Sequence, residues 1–283
     1  MEKTSVLIVI VLYHPDEKKL LELIHTCCQT SVSVRISILL FDNAQIADSM
    51  ILQLSSQAVY YQSSKNVGVS GAYYYASEMA SSKNFNFLLL LDQDSQLPNN
   101  FMDAMLTSFF QLQTEYPRLA AIGPAWNDPR FSLKKKKLTL NKSVAILISS
   151  GMLIWVPVLR DVGFPKKNYI IDHVDTEWCL RAFSKNYQLI KLQHVHMQHT
   201  LGEVKKIAKV TLRYHQPIRY YYRVRNGFFI FRDKDLVYSL RLYVLLRNVV
   251  LLLKVPFLPK PVAILRAIWR GLKEGVDTKG YSE

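Results

Sequence analysis

Apolar residues in the first third of the chain fall in short unbroken runs. Residues 5–12 (SVLIVIVL), 35–41 (RISILLF) and 87–91 (FLLLL) are the strongest, and 59–62 (VYYQ) is a shorter one. A strand covered on both faces is continuously apolar, whereas a half-exposed strand alternates, so these runs predict buried strands. The segments between them, 16–28, 44–57 and 71–82, suit crossover helices. In the first, Leu20, Leu21, Ile24 and Cys28 recur at helical spacing. Alternating strands and helices predict an α/β fold with a mostly parallel central sheet of the doubly wound type.

Beyond residue 119 the pattern loosens. Residues 120–126 suit another strand, the four lysines at 134–137 a turn or hairpin tip, and 145–148 a further β segment. The apolar run continues over 151–156. A helix is expected over 172–187, with Leu180, Phe183 and Tyr187 on one side, and a strand over 189–195 before a histidine-rich turn.

In a parallel sheet, ligands sit outside the carboxyl ends of the strands. The residues placed there are Tyr13-His14-Pro15, Asp42-Asn43, the stretch from Ser63 to Gly68, and Asp92-Gln93-Asp94-Ser95. Acidic and polar groups thus gather on one edge, which marks a site. Two carboxylates two residues apart at a strand end can share a hard cation such as Mg²⁺ or Mn²⁺ with a diphosphate. Taken alone, Asp-x-Asp describes an ordinary turn equally well.

Five segments in order carry a family resemblance: 6–13, 39–43 (LLFDN), 66–72 (NVGVSGA), 90–95 (LLDQDS) and 172–181 (DHVDTEWCLR). Together they resemble family 2 glycosyltransferases, and among these the bacterial rhamnosyltransferases of O-antigen and capsule assembly, over roughly residues 5–230. The resemblance implies a GT-A fold, one nucleotide-sugar-binding α/β domain, and transfer with inversion. It implies that Asp42, Asn66, Gly68 and Asp92 contact the nucleotide sugar and that Asp94 ligates Mg²⁺ or Mn²⁺. For the glycines, a loop and helix start is an equally good reading.

The acidic segment at 172–178 offers three carboxylates. Asp172 and Asp175 have the spacing of a capping box, and Glu177 stands four residues before Arg181, as in a surface ion pair. Direct displacement needs one carboxylate to take the acceptor hydroxyl's proton. The resemblance places that base at Asp175, with Glu177 as the alternative on the acceptor side. Trp178 suits either the acceptor pocket or core packing. Alternation puts His194 and His196 on one face, although no Cys or third close ligand completes a zinc site. The resemblance instead favours His199 as a further ligand of the catalytic metal.

Charge separates the chain into two parts. Its 283 residues carry 36 Lys and Arg against 22 Asp and Glu, a net +14, and residues 201–283 supply +11 of it. The segment 215–226 interleaves arginine and tyrosine, a chemistry suited to a diphosphate of donor or acceptor, to packing, or to single-stranded nucleic acid. By resemblance Arg225 belongs to the nucleotide-sugar site. Residues 236–258 are apolar apart from Arg241, Arg247 and Lys254 at six- or seven-residue intervals. A central Arg247 makes a bilayer span costly, so an interfacial helix on an anionic membrane fits, with packing on the core or a second subunit as the alternative. The expected organisation is a catalytic domain over 1–230 and a basic apolar helical tail over 231–283.

Three cysteines, two of them adjacent, point to a reducing compartment, and residues 6–12 are too short for a membrane span. The expectation is a cytoplasmic, peripheral, metal-dependent hexosyltransferase on the inner face of the cell membrane. It would use dTDP-L-rhamnose and a polyprenyl-diphosphate-linked acceptor, and would not bind nucleic acid. The alternatives are a basic nucleic-acid-binding protein with a degenerate nucleotide fold and a noncatalytic nucleotide-binding subunit. The first requires bases, not acids, along the strand-end edge.

Overall fold

Strand β1 (Thr4–Leu12) shares its side chains between two cores. Leu7, Val9 and Val11 face one, and Val6, Ile8, Ile10 and Leu12 face the other. That division explains its unbroken apolar run, since both faces are dry. The computed structural model describes residues 3–31, 33–44, 54, 58–128, 130, 141–198, 202–207 and 210–277. The expected lysine turn at 134–137, His199 and nearly all of the expected helix at 44–57 lie outside the described residues.

Helix α1 (Glu17–Cys28) follows β1, capped by Asp16, which accepts from Lys19 N at 3.0 Å. Then come β2 (Val34–Asp42), β3 (Val59–Gln62), α2 (Gly68–Ser82) and β4 (Phe87–Asp92), as the alternation predicts. Helix α3 (Phe101–Glu115) is an addition. Its buried Phe101, Met102, Met105, Leu106, Phe109 and Leu112 give a clear helical period. Next are β5 (Leu119–Asn127), β6 (Lys142–Ser143), β7 (Met152–Trp155) and the single turn α4 (Leu159–Val162). Residues 145–148 are irregular and not a strand; only the two residues of β6 pair there, antiparallel to β8. Helix α5 (Val174–Ser184) is shorter than the expected 172–187, and β8 (Gln188–Gln198) runs past 195 through His194 and His196.

The sheet has the order β3-β2-β1-β4-β7-β5-β8-β6. Strands β3, β2, β1 and β4 are parallel, β7 is antiparallel between β4 and β5, and β5 and β8 are parallel. Helices α2 and α5 cover one face, α1 and α3 the other. The expected α/β fold is therefore present, with a mixed, mostly parallel sheet.

After the hairpin of β9 (Glu203–Ile207) and β10 (Val210–Tyr214), three helices follow: α6 (Pro217–Arg232), α7 (Tyr238–Lys254) and α8 (Pro261–Asp277). They are joined to the core. Phe229 and Ile230 of α6, Leu236 just before α7 and Val244 of α7 pack with α2 and α5, while Tyr220, Val224, Leu251, Val255, Ile264 and Ile268 form a third cluster. Helices α6 and α8 approach closely because α8 presents glycine: a Cβ on Gly271 would lie 2.5 Å from Tyr221 O. Among the described residues, no helix is long and apolar enough to cross a membrane.

Candidate active site

Parallel register brings two acids to one edge, since Leu12 pairs with Asp42 and Val11 with Asp92. Parity then separates them. Leu88 and Leu90 of β4 face the core under α2 and α5, so Asp92, two residues on, emerges on that face, whereas Asp42 has the parity of Ile38 and Leu40, which face α1 and α3. Tyr73 of α2 is buried, and its hydroxyl lies 3.5 Å from Asp92 Oδ1.

Antiparallel β7 delivers its leading residues to the same place. Gly151 N donates to Leu90 O at 2.8 Å, and the Ser95 and Ser150 hydroxyls are 2.6 Å apart. Ser149 N donates to Asp175 Oδ2 at 3.1 Å, and Thr176 N to Asp175 Oδ1 at 2.7 Å. Asp175 at the start of α5 and Asp92 at the end of β4 therefore converge about Tyr73. Burial, then the charge of Asp92, raises the Tyr73 phenol well above its usual range, so it stays protonated as a donor. Burial also raises Asp175, against the pull of the two backbone N–H groups. A half-buried carboxylate with a raised pKa suits a proton acceptor.

The segment leading into α5 is strained and firmly held. Ile170, Asp172 and His173 all have φ near +60°, unusual for residues with a Cβ. Ser70 N donates to Ile170 O at 3.1 Å, and Ile170 N donates to Ser70 Oγ at 2.8 Å. Asn226, fully buried, donates to the carbonyls of Tyr169, Ile171 and Asp172 at 2.8, 2.9 and 2.8 Å. The expected capping box is absent. His173 occupies the cap position without a side-chain cap, and Asp172 is bound bidentately by Arg219 at 3.0 and 2.8 Å.

Other expected site residues have different surroundings. Asp42 is fully buried, its oxygens accepting from Ala44 N at 2.8 Å and the Tyr60 hydroxyl at 2.6 Å. Asn66 is exposed and accepts from Gly68 N at 2.8 Å. At Gly68, expected to admit the nucleotide, the close neighbour is the chain itself: φ is +70° and a Cβ would lie 2.3 Å from Ile170 O.

Glu177 is in a buried pair and not the expected surface one. Its side chain is 1 % exposed and bound by Arg181 at 2.7 and 2.8 Å and by Lys166 at 3.3 Å. Trp178 is packed in the core, donating to Gly163 O at 3.0 Å, the second of the two placements expected for it. Arg225 is buried and donates to Asn168 O at 2.6 Å and to Glu274 at 3.3 Å, so it braces the loop before α5. Tyr73, Ser149, Ser150 and Arg219 were not singled out by sequence; only the parity of a helix tyrosine run and of β4 points to Tyr73.

Asp94 is exposed, with no hydrogen bond or ion pair among the described residues, and stands two residues from Asp92. Their hard oxygens fit Mg²⁺ or Mn²⁺. Among the described residues no three His, Cys, Asp or Glu side chains form a metal-holding group, His194 instead meeting the Ser108 hydroxyl at 3.0 Å.

No family model matches the chain. Over 251 residues it is 28 % identical to dTDP-rhamnosyl transferase RfbF of Shigella flexneri, covering 81 % of this chain and 80 % of that protein. Its structure superimposes on S. aureus TarS 1–349 in complex with UDP-GlcNAc with a TM-score of 0.61 and 12 % identity, over 96 % of this chain and 81 % of that one. Against a longer TarS chain it spans 43 % of the length. Mannosyltransferase PcManGT from Pyrobaculum calidifontis, in complex with GDP-Man and Mn²⁺, gives a TM-score of 0.59 at 12 % identity, over 97 % and 85 % of the two chains. The fold is that of the GT-A glycosyltransferases. With it comes distant homology to a dTDP-rhamnosyl transferase, so the resemblance read from the five sequence segments is borne out at this level.

Proposed function

We propose that this GT-A protein is an inverting glycosyltransferase that moves L-rhamnose from dTDP-L-rhamnose to a polyprenyl-diphosphate-linked saccharide in surface-polysaccharide assembly. The observation that carries the reading is the convergence of Asp92 and Asp175 about Tyr73 at the carboxyl edge of the sheet. The distant homology to a dTDP-rhamnosyl transferase supports the donor.

In this reading the acceptor hydroxyl lies against Asp175. As its oxygen bonds to the anomeric carbon, Asp175 takes the proton and the bond from that carbon to the diphosphate breaks, giving an inverted glycoside and a nucleoside diphosphate. Backbone N–H groups of Ser149 and Thr176 fix the carboxylate's direction, and the Tyr73 hydroxyl holds Asp92. Asp92 and Asp94 would hold Mg²⁺ or Mn²⁺, which supplies charge neutralisation to the leaving diphosphate. Exposed apolar and basic residues on α7 and α8 support attachment to an anionic membrane.

The test is incubation with a panel of nucleotide sugars, Mn²⁺ and a synthetic lipid-linked acceptor, following nucleoside diphosphate release. Release from dTDP-L-rhamnose above all others, abolished by EDTA, is expected. Preference for another donor removes the rhamnose assignment, and activity indifferent to EDTA removes the metal.

A further inference from the structure

We propose that Arg223 and Arg247, with His173 beside them, bind the diphosphate of the lipid-linked acceptor at the margin of an apolar face formed by α7 and α8. The proposal rests on the glycosyltransferase reading and adds where its acceptor is gripped.

Arg219 and Arg223 stand one turn apart on α6 and so share a face. The first is neutralised by Asp172 in a bidentate pair. The second is half-buried and has no hydrogen bond or ion pair among the described residues. Burial disfavours its charge, Asp172 favours it, and the neighbouring Arg247 and Arg219 disfavour it again. His173 adds a buried Nε2 without a partner, and burial together with Arg223 lowers its pKa to about 4. A half-buried guanidinium beside a second one and an unsatisfied imidazole nitrogen is an unfavourable arrangement for an empty protein. It becomes favourable when an anion with several acceptor oxygens is bound, since guanidinium groups match phosphate bidentately.

Position selects the diphosphate of the acceptor over that of the donor. Along α6, Arg219 pairs with Asp172 at 2.8 Å, and a Cβ on Gly227, two turns further on, would lie 2.1 Å from the Asn248 side chain of α7, next to Arg247. Arg223, midway between them on the helix, therefore stands on the α7 side of Asp172. Arg247 is exposed among apolar residues: Leu246, Val250 and Leu253 form one stripe of α7, and Val262, Leu265 and Trp269 one stripe of α8. Lys254, Arg266, Arg270 and Lys273 lie exposed on the same two helices. Apolar stripes flanked by cations match a lipid chain and its anionic head group.

The test is calorimetric titration of the full chain with farnesyl diphosphate, farnesol and dTDP. Wild type is expected to prefer farnesyl diphosphate over farnesol. Arg223→Gln and Arg247→Gln are each expected to weaken farnesyl diphosphate by about ten-fold or more, the worth of a lost charged hydrogen bond, and to leave dTDP within about two-fold. Folded variants with wild-type affinity for farnesyl diphosphate, or a wild type that does not distinguish it from farnesol, overturn the proposal. An equal loss of dTDP binding overturns it too, because the arginines would then serve the donor. Should Arg223→Gln fail to fold, exposed Arg247→Gln decides the matter alone. Failure of wild type to bind dTDP contradicts the glycosyltransferase reading instead, and the dTDP arm records it separately.

Discussion

At the carboxyl edge of the sheet, Asp175 is held by backbone N–H groups and the neighbouring Thr176, with no cation bonded to it. In the segment that the C-terminal helices brace, three acids each have a cation: Asp172 has Arg219, Glu177 has Arg181 and Lys166, and Glu274 has Arg225. Asp175 and Glu177 belong to the same first turn of α5, yet two residues of an α-helix turn about 200°, so the two carboxylates point into these different regions. An interior pair is costly to break, whereas the carboxylate without a cation has its pKa raised by burial. Rotation about one helix separates the two roles.

The comparison is broken most severely at Asp175. Asp175→Asn is expected to slow transfer by about two to four orders of magnitude, the usual worth of a positioned base. Nucleotide affinity, measured by calorimetry, should barely change. A variant that transfers normally would show that the unpaired carboxylate has no chemical role.

Glu177→Gln should break the other side. It leaves Arg181 without its buried counter-charge, although Lys166 keeps Asp233 at 3.0 Å, and removing one partner of such a pair costs about 3–5 kcal/mol. Urea unfolding should therefore show a much lower midpoint, while any folded fraction keeps its nucleotide affinity. A variant as stable as wild type with dead transfer would exchange the roles of the two acids.

Titration sharpens the contrast further. Because the folded pKa of Asp175 is raised above 3.8, the native protein holds its proton more tightly than the unfolded chain. That contribution favours folding at low pH and is lost as pH rises through the raised value. Transfer should run the opposite way, falling on acidification at a pH above the ordinary carboxylate range. A pH–rate profile flat down to pH 4 would contradict this. Tyr73→Phe, which removes one long hydrogen bond at 3.5 Å, should have the smallest effect, a loss of about ten-fold or less in transfer with the fold intact.

How far the sequence discloses this arrangement depends on how local each cause is. Strands β1, β2 and β4 are legible because burial on both faces leaves an apolar run with no other easy explanation. Asp92 and Asp94 are legible because they follow such a run. Helix α3 carries its own period and was available to the same reasoning. The meeting of Tyr73, Ser149 and Asp175 was not, since it depends on β7 running antiparallel between β4 and β5. The i,i+4 spacing identifies the Glu177–Arg181 pair but not its depth, which is set by Lys166 on a distant loop. Arg223 and Arg225 are indistinguishable in a run of tyrosines and arginines. Only the rotation of α6 gives one a buried strut and leaves the other without a counter-ion.

The central claim, a single displacement driven by one carboxylate, is tested most directly by the anomeric configuration of the transferred sugar. Nuclear magnetic resonance of the product formed from dTDP-L-rhamnose and a synthetic lipid-linked acceptor reads it directly. The account predicts a configuration opposite to that of the donor. Retention would require two displacements or a different geometry of attack, and would contradict the role assigned to Asp175.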